Sequence, residues 1–328
     1  MKKILTVVIP AYNVEKYLNK TLNSFLDDSI LQDIEILIIN DGSKDGTAKI
    51  ALKMEEKYQG TIKLISKENG GHGSTINKGI ELATGRYFKV VDGDDWVDTS
   101  EFVKLVVQLK SETADAVLTP FKKVHIDTNN EEVMSIPKLQ HENPIEFNKI
   151  VGKLQNSLQI HSVMYKTEIL KQIPAITENC FYVDQEFCLY PIKYVRTISF
   201  YEYNVYRYRV GTMEQSMNIK NMQKNRRMHE TVIRDLLKYY YEWNEQGASK
   251  DFLKYRIAEM EDRQIQIILS MPISKAYKRE LELFMEEMKK NGQDIYEQIR
   301  GKKAKIIRKI GIRSYGMMAV WQHIKRYK

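Results

Sequence analysis

Only two cysteines occur among 328 residues, and Cys180 and Cys188, eight apart in a stretch that reads as helical, have neither the number nor the spacing of a disulfide framework or a zinc site. A reducing, cytoplasmic setting is expected. Long hydrophobic runs are also missing. Nowhere do about eighteen apolar residues follow one another without interruption, so no helix is expected to span a bilayer. The opening Met-Lys-Lys and the apolar run over residues 4–9 imitate a signal peptide, but Pro10, Tyr12, Asn13, Glu15 and Lys16 end the run at once, and it reads as a buried strand. Acidic residues are absent from the end of the chain. Residues 301–328 hold nine Lys/Arg and no Asp or Glu, which accounts for the net charge of +8 and leaves 42 basic against 43 acidic residues elsewhere. A neutral body with a basic tail argues against a nucleic-acid-binding face.

What is present is an alternation. Short β-rich runs at residues 4–9, 35–40, 62–66 and 86–91 are separated by stretches at 14–26, 47–58 and 74–83 whose apolar residues recur every three or four positions. That is the pattern of a parallel sheet with crossover helices. Beyond residue 95 it becomes mixed. A helix is expected near 99–110, a strand near 116–120, a hairpin over 122–135 turning at Thr128-Asn129-Asn130, a strand at 159–165, a helix at 185–194, and strands around 198–209 that complete the sheet. From about Asn218 Gly and Pro become scarce, and three or four helices are expected, broken at Gln246-Gly247, Met271-Pro272, Asn291-Gly292 and Gly301. The chain is therefore read as an α/β domain over 1–217 and a helical region over 218–328.

Three stations carry chemistry. The strand at 86–91 ends in Asp92-Gly93-Asp94-Asp95, and because ligands of open α/β sheets bind beyond the carboxyl ends of the strands, these acids face the site. Alone they repel a diphosphate. A hard divalent cation, Mn²⁺ or Mg²⁺ held by Asp92 and Asp94, resolves the conflict by bridging carboxylate to phosphate. Asp41, in Asn40-Asp41-Gly42-Ser43-Lys44-Asp45-Gly46-Thr47, ends the second strand, where an acid is placed to accept hydrogen bonds from a nucleoside; a calcium loop is excluded by Leu52 at its twelfth position. Asn69-Gly70-Gly71-His72-Gly73 opens the next helix, where glycines let backbone N–H groups approach a ligand. It is not a P-loop, and Pro10-Ala11-Tyr12-Asn13 is not a dinucleotide fingerprint. Farther along, Tyr182-Val183-Asp184-Gln185-Glu186 opens a helix, and residues 206–216 join Arg207 and Arg209 to Gln215 and Ser216 about a glycine, a segment able to fold over a diphosphate.

Taken together, Val7-Val8-Ile9-Pro10-Ala11-Tyr12-Asn13, Ile38-Ile39-Asn40-Asp41-Gly42-Ser43 with Asp45-Gly46-Thr47, and Val91-Asp92-Gly93-Asp94-Asp95 resemble the family 2 glycosyltransferases of GT-A fold. The resemblance covers roughly residues 1–215. It implies a mixed, mainly parallel sheet between helices, and an inverting enzyme that takes a sugar from a nucleoside diphosphate, commonly UDP, to an acceptor hydroxyl. Pro10, Ala11, Tyr12, Asn13 and Asp41 would hold the nucleoside, Asp92, Gly93 and Asp94 would form the metal and diphosphate motif, and Asp184 would be the general base, with Glu186 in reserve. Val183-Asp184 stands where the family often has Glu-Asp. Gly93 stands where Ser or Ala is frequent, a change expected to matter little because that side chain need not touch the metal.

The tail sets Ile307, Ile310, Met317, Trp321 and Ile324 at helix-like intervals among its basic residues, interrupted by Gly311 and Gly316. It reads either as an amphipathic segment for the inner face of an anionic membrane, where lipid-linked acceptors are reached, or as a helix packed on its neighbours. The acceptor is a saccharide or a lipid-linked one, and the helical region offers a homodimer surface. Two alternatives stay open from sequence: a sugar-nucleotide nucleotidyltransferase, although its Gly-rich basic first loop is lacking, and a non-enzymatic nucleic-acid-binding or scaffold protein.

Overall fold

The computed structural model describes residues 3–128, 130–136, 144–154, 157–211 and 218–324. The chain divides into two compact units, residues 1–212 and 213–328.

The first unit opens with β1 (Leu5–Ala11), α1 (Glu15–Asn23), β2 (Ile34–Asp41), α2 (Thr47–Lys57), β3 (Ile62–Lys67), α3 (Gly71–Leu82) and β4 (Tyr87–Val90). All seven residues of β1 and all four of β4 are buried, as expected of strands covered on both faces. The chain continues through β5 (Trp96–Val97), α4 (Thr99–Leu109), β6 (Ala116–Leu118), β7 (Phe121–His125), β8 (Glu131–Met134), β9 (Ile145–Glu146), α5 (Phe147–Leu154), β10 (Val163–Lys166), α6 (Thr167–Leu170), α7 (Asp184–Leu189), β11 (Thr197–Phe200) and β12 (Tyr206–Val210).

The main sheet has the order β3-β2-β1-β4-β10-β6-β11-β9, parallel from β3 to β4 and antiparallel where β10 joins β4 and β6. From β1 the chain builds outward to β3, then returns to place β4 on the other side of β1. The strand order therefore reverses between β1 and β4, and the crevice outside their carboxyl ends is the expected ligand position of such a sheet. Pro10–Asn13 and Asp92–Asp95 both lie there.

One expectation fails at residues 206–210. This segment does not complete the main sheet; β12 joins a second sheet of order β5-β12-β7-β8, antiparallel to β5 and parallel to β7. The cause is local. After the acidic turn the chain resumes as the two-residue β5, whose free edge lies directly behind the acids and accepts β12 there.

In the second unit the long helices are α9 (Arg226–Glu242), α10 (Ala248–Leu269) and α11 (Lys275–Asn291), with shorter α8 (Ile219–Lys224), α12 (Gln293–Tyr296), α13 (Lys302–Ile310) and α14 (Tyr315–Ile324). Gly247, Pro272, Gly292 and Gly301 lie at their breaks, as read from sequence. Helix α10 is the buried axis. Its Glu261 is fully buried, and neither carboxylate oxygen has a hydrogen-bond partner among the described residues. Burial, only partly offset by the charge of Arg308, pushes its pKa up to about 8. Between its unfolded value near 4.5 and about 8, the folded state holds a proton that the unfolded state releases, so this contribution to stability is complete below the lower value and is lost as pH rises through the upper one. Glu261→Met should remove the loss, making the variant more stable than the parent at pH 8.5 by on the order of 3 kcal/mol and much less so at pH 5. Urea unfolding at the two pH values measures it, and a pH-independent difference would refute it.

Candidate active site

The acidic turn is anchored to β1 and α1 by backbone geometry. Gly93 N donates to Pro10 O at 3.1 Å, and Thr21 Oγ1 donates to Gly93 O at 3.0 Å. A Cβ on Gly93 would stand 2.8 Å from Pro10 O and 3.0 Å from a Val14 methyl. The middle position thus carries a packing requirement that the metal argument does not contain, and the expectation that glycine matters little there is corrected.

The three carboxylates have separate environments. Asp95 is buried, accepting from Tyr206 O–H at 2.7 Å and from Arg209 N at 2.7 Å; burial and the charges of Asp94 and Asp92 push it well above the usual carboxylate range. Asp92 lies 2.9 Å from His72 Nε2. Burial works against its ionisation, but the charge and hydrogen bond of His72 outweigh it and hold Asp92 low, while the same pairing raises His72 against its own burial. Asp94 is half-buried, and burial together with the charge of Asp92 pushes it up to about 6.

His161, not singled out from sequence, completes a group. Donor atoms of Asp92, Asp95 and His161 lie within 4.8 Å of one another. The ring is sandwiched at 4.4 Å from Tyr208 and 5.0 Å from Phe121, burial lowers its pKa to about 4, and its buried Nδ1 has no hydrogen-bond partner among the described residues. A neutral imidazole with an orphaned nitrogen beside mutually repelling carboxylates fits a divalent cation, and the mixed nitrogen and oxygen set suits Mn²⁺ as well as Mg²⁺. Asp94 stands outside this group but on the same turn. Lys89, also missed, is fully buried in β4; its Nζ donates to His161 O at 3.0 Å, and burial lowers it to about 7. The signal was a lysine interrupting an apolar strand.

At the end of β2, Asp41 is 2% exposed. Its carboxylate accepts from Gly70 N at 2.9 Å, Gly71 N at 2.8 Å and Lys67 Nζ at 2.8 Å, while Asn69 Nδ2 donates to Asp41 O at 2.9 Å. The glycine turn therefore aims its N–H groups at Asp41, where sequence reading had them offered to a ligand. Gly71 takes φ +79°, with Asn179 backbone 3.2 Å from where its Cβ would be. Asp45 accepts from Thr47 N and Glu15 N, so it fastens the starts of α2 and α1. Asn13, at φ +53°, exchanges hydrogen bonds with Ser43 and Lys44, whereas Tyr12 is 49% exposed at the mouth of the crevice.

Asp184 reaches the acids because the segment before it is lashed to α3. Asn77 bonds both the carbonyl and the N–H of Ile176 at 2.8 Å, and Asn179 N donates to Gly70 O at 2.6 Å. Gly73 is required, since a Cβ would lie 2.1 Å from Thr177 O. Asp184 is the first residue of α7, not its cap, and accepts from Gln185 Nε2 at 2.8 Å. It is close enough to His72 and Asp92 for both to influence its proton affinity, and burial is the largest influence, raising its pKa. Glu186 does not serve as a reserve base. It is fully buried, and its carboxylate holds Thr177 N and Oγ1 at 2.8 Å.

The arginines separate. Arg209 donates to Asp94 O at 2.7 Å and stacks over Tyr17, whereas Arg207 is held by Asp98 at 2.8 Å and is not brought to the acids. Gln215 and Ser216 lie outside the described residues.

A sheet reversing at β1/β4, with the acidic turn at that crevice and a second acid delivered across α3, defines a glycosyltransferase of GT-A fold. Over 97% of its length the chain superposes on the S. aureus TarS structure in complex with UDP-GlcNAc, covering 89% of that chain at a TM-score of 0.67 and 17% identity. Residues 6–173 match the profile of Glycosyl transferase family 2, and the chain belongs to that family. It is 28% identical over 85% of its length to the cholesterol galactosyltransferase of Borreliella burgdorferi, spanning 83% of that protein. It is 35% identical over 39% of its length to the uncharacterized glycosyltransferase EpsJ of Bacillus subtilis, where the match spans 36% of that protein. Membership decides against the nucleotidyltransferase and scaffold alternatives.

Proposed function

We propose that the protein is an inverting transferase that moves a sugar from a UDP-sugar to the hydroxyl of a saccharide or lipid-linked acceptor in bacterial cell-surface glycan or glycolipid synthesis. The observation that carries this reading is the meeting of two acids of opposite task at one crevice: Asp92, kept ionised by His72, and Asp184, whose proton affinity is raised by burial. A raised affinity makes Asp184 the better proton acceptor. The acceptor oxygen attacks the anomeric carbon as Asp184 takes its proton, and the bond to the diphosphate oxygen breaks with the electron pair leaving on the nucleoside diphosphate. Asp92 and Asp94, with His161 and Asp95 behind them, would hold Mn²⁺ or Mg²⁺, which when bound supplies positive charge to the departing diphosphate. Tyr12 is exposed where a base stacks, and Asp41 with its glycine turn forms the wall of the nucleoside site. UDP-GlcNAc in the TarS complex supports a uridine donor.

Thermal-shift binding of a panel of nucleoside diphosphates with Mn²⁺, Mg²⁺ or chelator tests the reading. Metal-dependent stabilisation by UDP, lost in Asp41→Ala and Asp94→Ala, is expected. Stabilisation by a different nucleotide would overturn the uridine assignment, and none by any nucleotide would overturn the donor site.

A further inference from the structure

The tail does not choose between its two readings; it satisfies both with opposite sides of the same helices. Ala304 and Ile307 of α13, with Tyr315, Met318 and Ala319 of α14, are at most 3% exposed and form the packed side. Outward stand Ile310 and Met317, each 59% exposed, with Val320 at 46%, Trp321 at 37% and Ile324 at 57%. Positions 317, 320, 321 and 324 follow the i, i+3, i+4, i+7 spacing of one helix face, so the outer stripe is as regular as the inner one. A helix that needed only to pack on its neighbours would carry polar residues there. Gly311, at φ +89°, turns the chain between α13 and α14.

The charges decide the occupant. Lys302, Lys305 and Lys309 are exposed on α13 and Arg313 in the short turn before α14, Lys303 Nζ lies 5.1 Å from the Trp321 ring centre, and residues 301–328 contain no acid. A second copy docking through this face about a two-fold axis would set the basic cluster against itself, since such an interface pairs a patch with the same patch. An anionic lipid surface answers both features: the apolar stripe enters the acyl boundary, the indole sits at headgroup level, and the cations meet lipid phosphates. Among the described residues no helix is long and apolar enough to cross a membrane, so the contact is one of lying on the surface.

We propose that the outer face of α13 and α14, centred on Met317, Trp321 and Ile324, is a docking surface for an anionic membrane. The test is sedimentation of the full chain with vesicles of phosphatidylcholine alone or with phosphatidylglycerol, using the parent, Met317→Ser/Ile324→Ser and Lys305→Glu/Lys309→Glu/Arg313→Glu. All the substituted side chains are exposed, and circular dichroism together with UDP-induced thermal shift checks that each variant is folded and holds donor. The parent should bind the phosphatidylglycerol vesicles at least about tenfold more tightly than either variant, with binding weakened by salt and accompanied by a blue shift of Trp321 fluorescence absent from Trp321→Phe. Equal binding by parent and variants, or no binding by the parent, overturns the proposal. So does concentration-dependent dimerisation of the parent abolished in Met317→Ser/Ile324→Ser, which would make the face a contact between copies.

Discussion

Asp184→Asn is expected to lower the rate of sugar transfer by about 10³-fold while leaving UDP-induced thermal stabilisation unchanged, the size of effect that loss of a positioned general base produces. The substitution is nearly isosteric, and its carbonyl oxygen can still accept from Gln185, so the opening of α7 keeps its shape. What disappears is the only property that the environment of Asp184 enhances, its affinity for a proton. Measuring turnover and donor binding separately distinguishes this from structural damage, which would lower both. Transfer at the parental rate would remove Asp184 from the chemistry.

The second large effect separates neighbours in one turn. Asp94→Ala should reduce metal-supported transfer by about 10³-fold with a melting temperature no lower than the parent's, because burial and the charge of Asp92 raise its pKa and its carboxylate makes no hydrogen bond to another residue's side chain among those described. Asp95→Ala should instead unfold more readily, by about 1–3 kcal/mol, since Tyr206 O–H and Arg209 N would lose a buried acceptor. Turnover titrated with Mn²⁺, alongside thermal melts of both variants, checks the contrast. Parental metal dependence in Asp94→Ala would shift the binding site to Asp92, Asp95 and His161 alone.

The two kinds of carboxylate could not be told apart in Asp92-Gly93-Asp94-Asp95, because what separates them is β12, more than a hundred residues away, whose Tyr206 and Arg209 choose Asp95. The same distance hid the second sheet. Strands β1, β2 and β4 were legible because burial on both faces leaves mainly apolar runs, and the acids following β2 and β4 stand out against such runs. The helix breaks at Gly247, Pro272, Gly292 and Gly301 were legible because glycine and proline act through their own backbone. By contrast, the aim of the Gly70 and Gly71 N–H groups depends on where a side chain at the end of the neighbouring strand points. The pairing of Arg207 with Asp98 is likewise a fact of sheet register, and sequence composition contains no trace of it. His161 gave no signal because a lone histidine before a strand acquires meaning only when its neighbours are known.

The lashing of residues 176–179 to α3 bears on how such a chain acquires new partners. Asn77, Gly70 and Gly73 engage it mainly through main-chain atoms, so the identity of most side chains in that strap is immaterial to the grip. Side chains along the strap can then change while α7 keeps its place against α3, whereas a side chain at Gly73 would force the two apart.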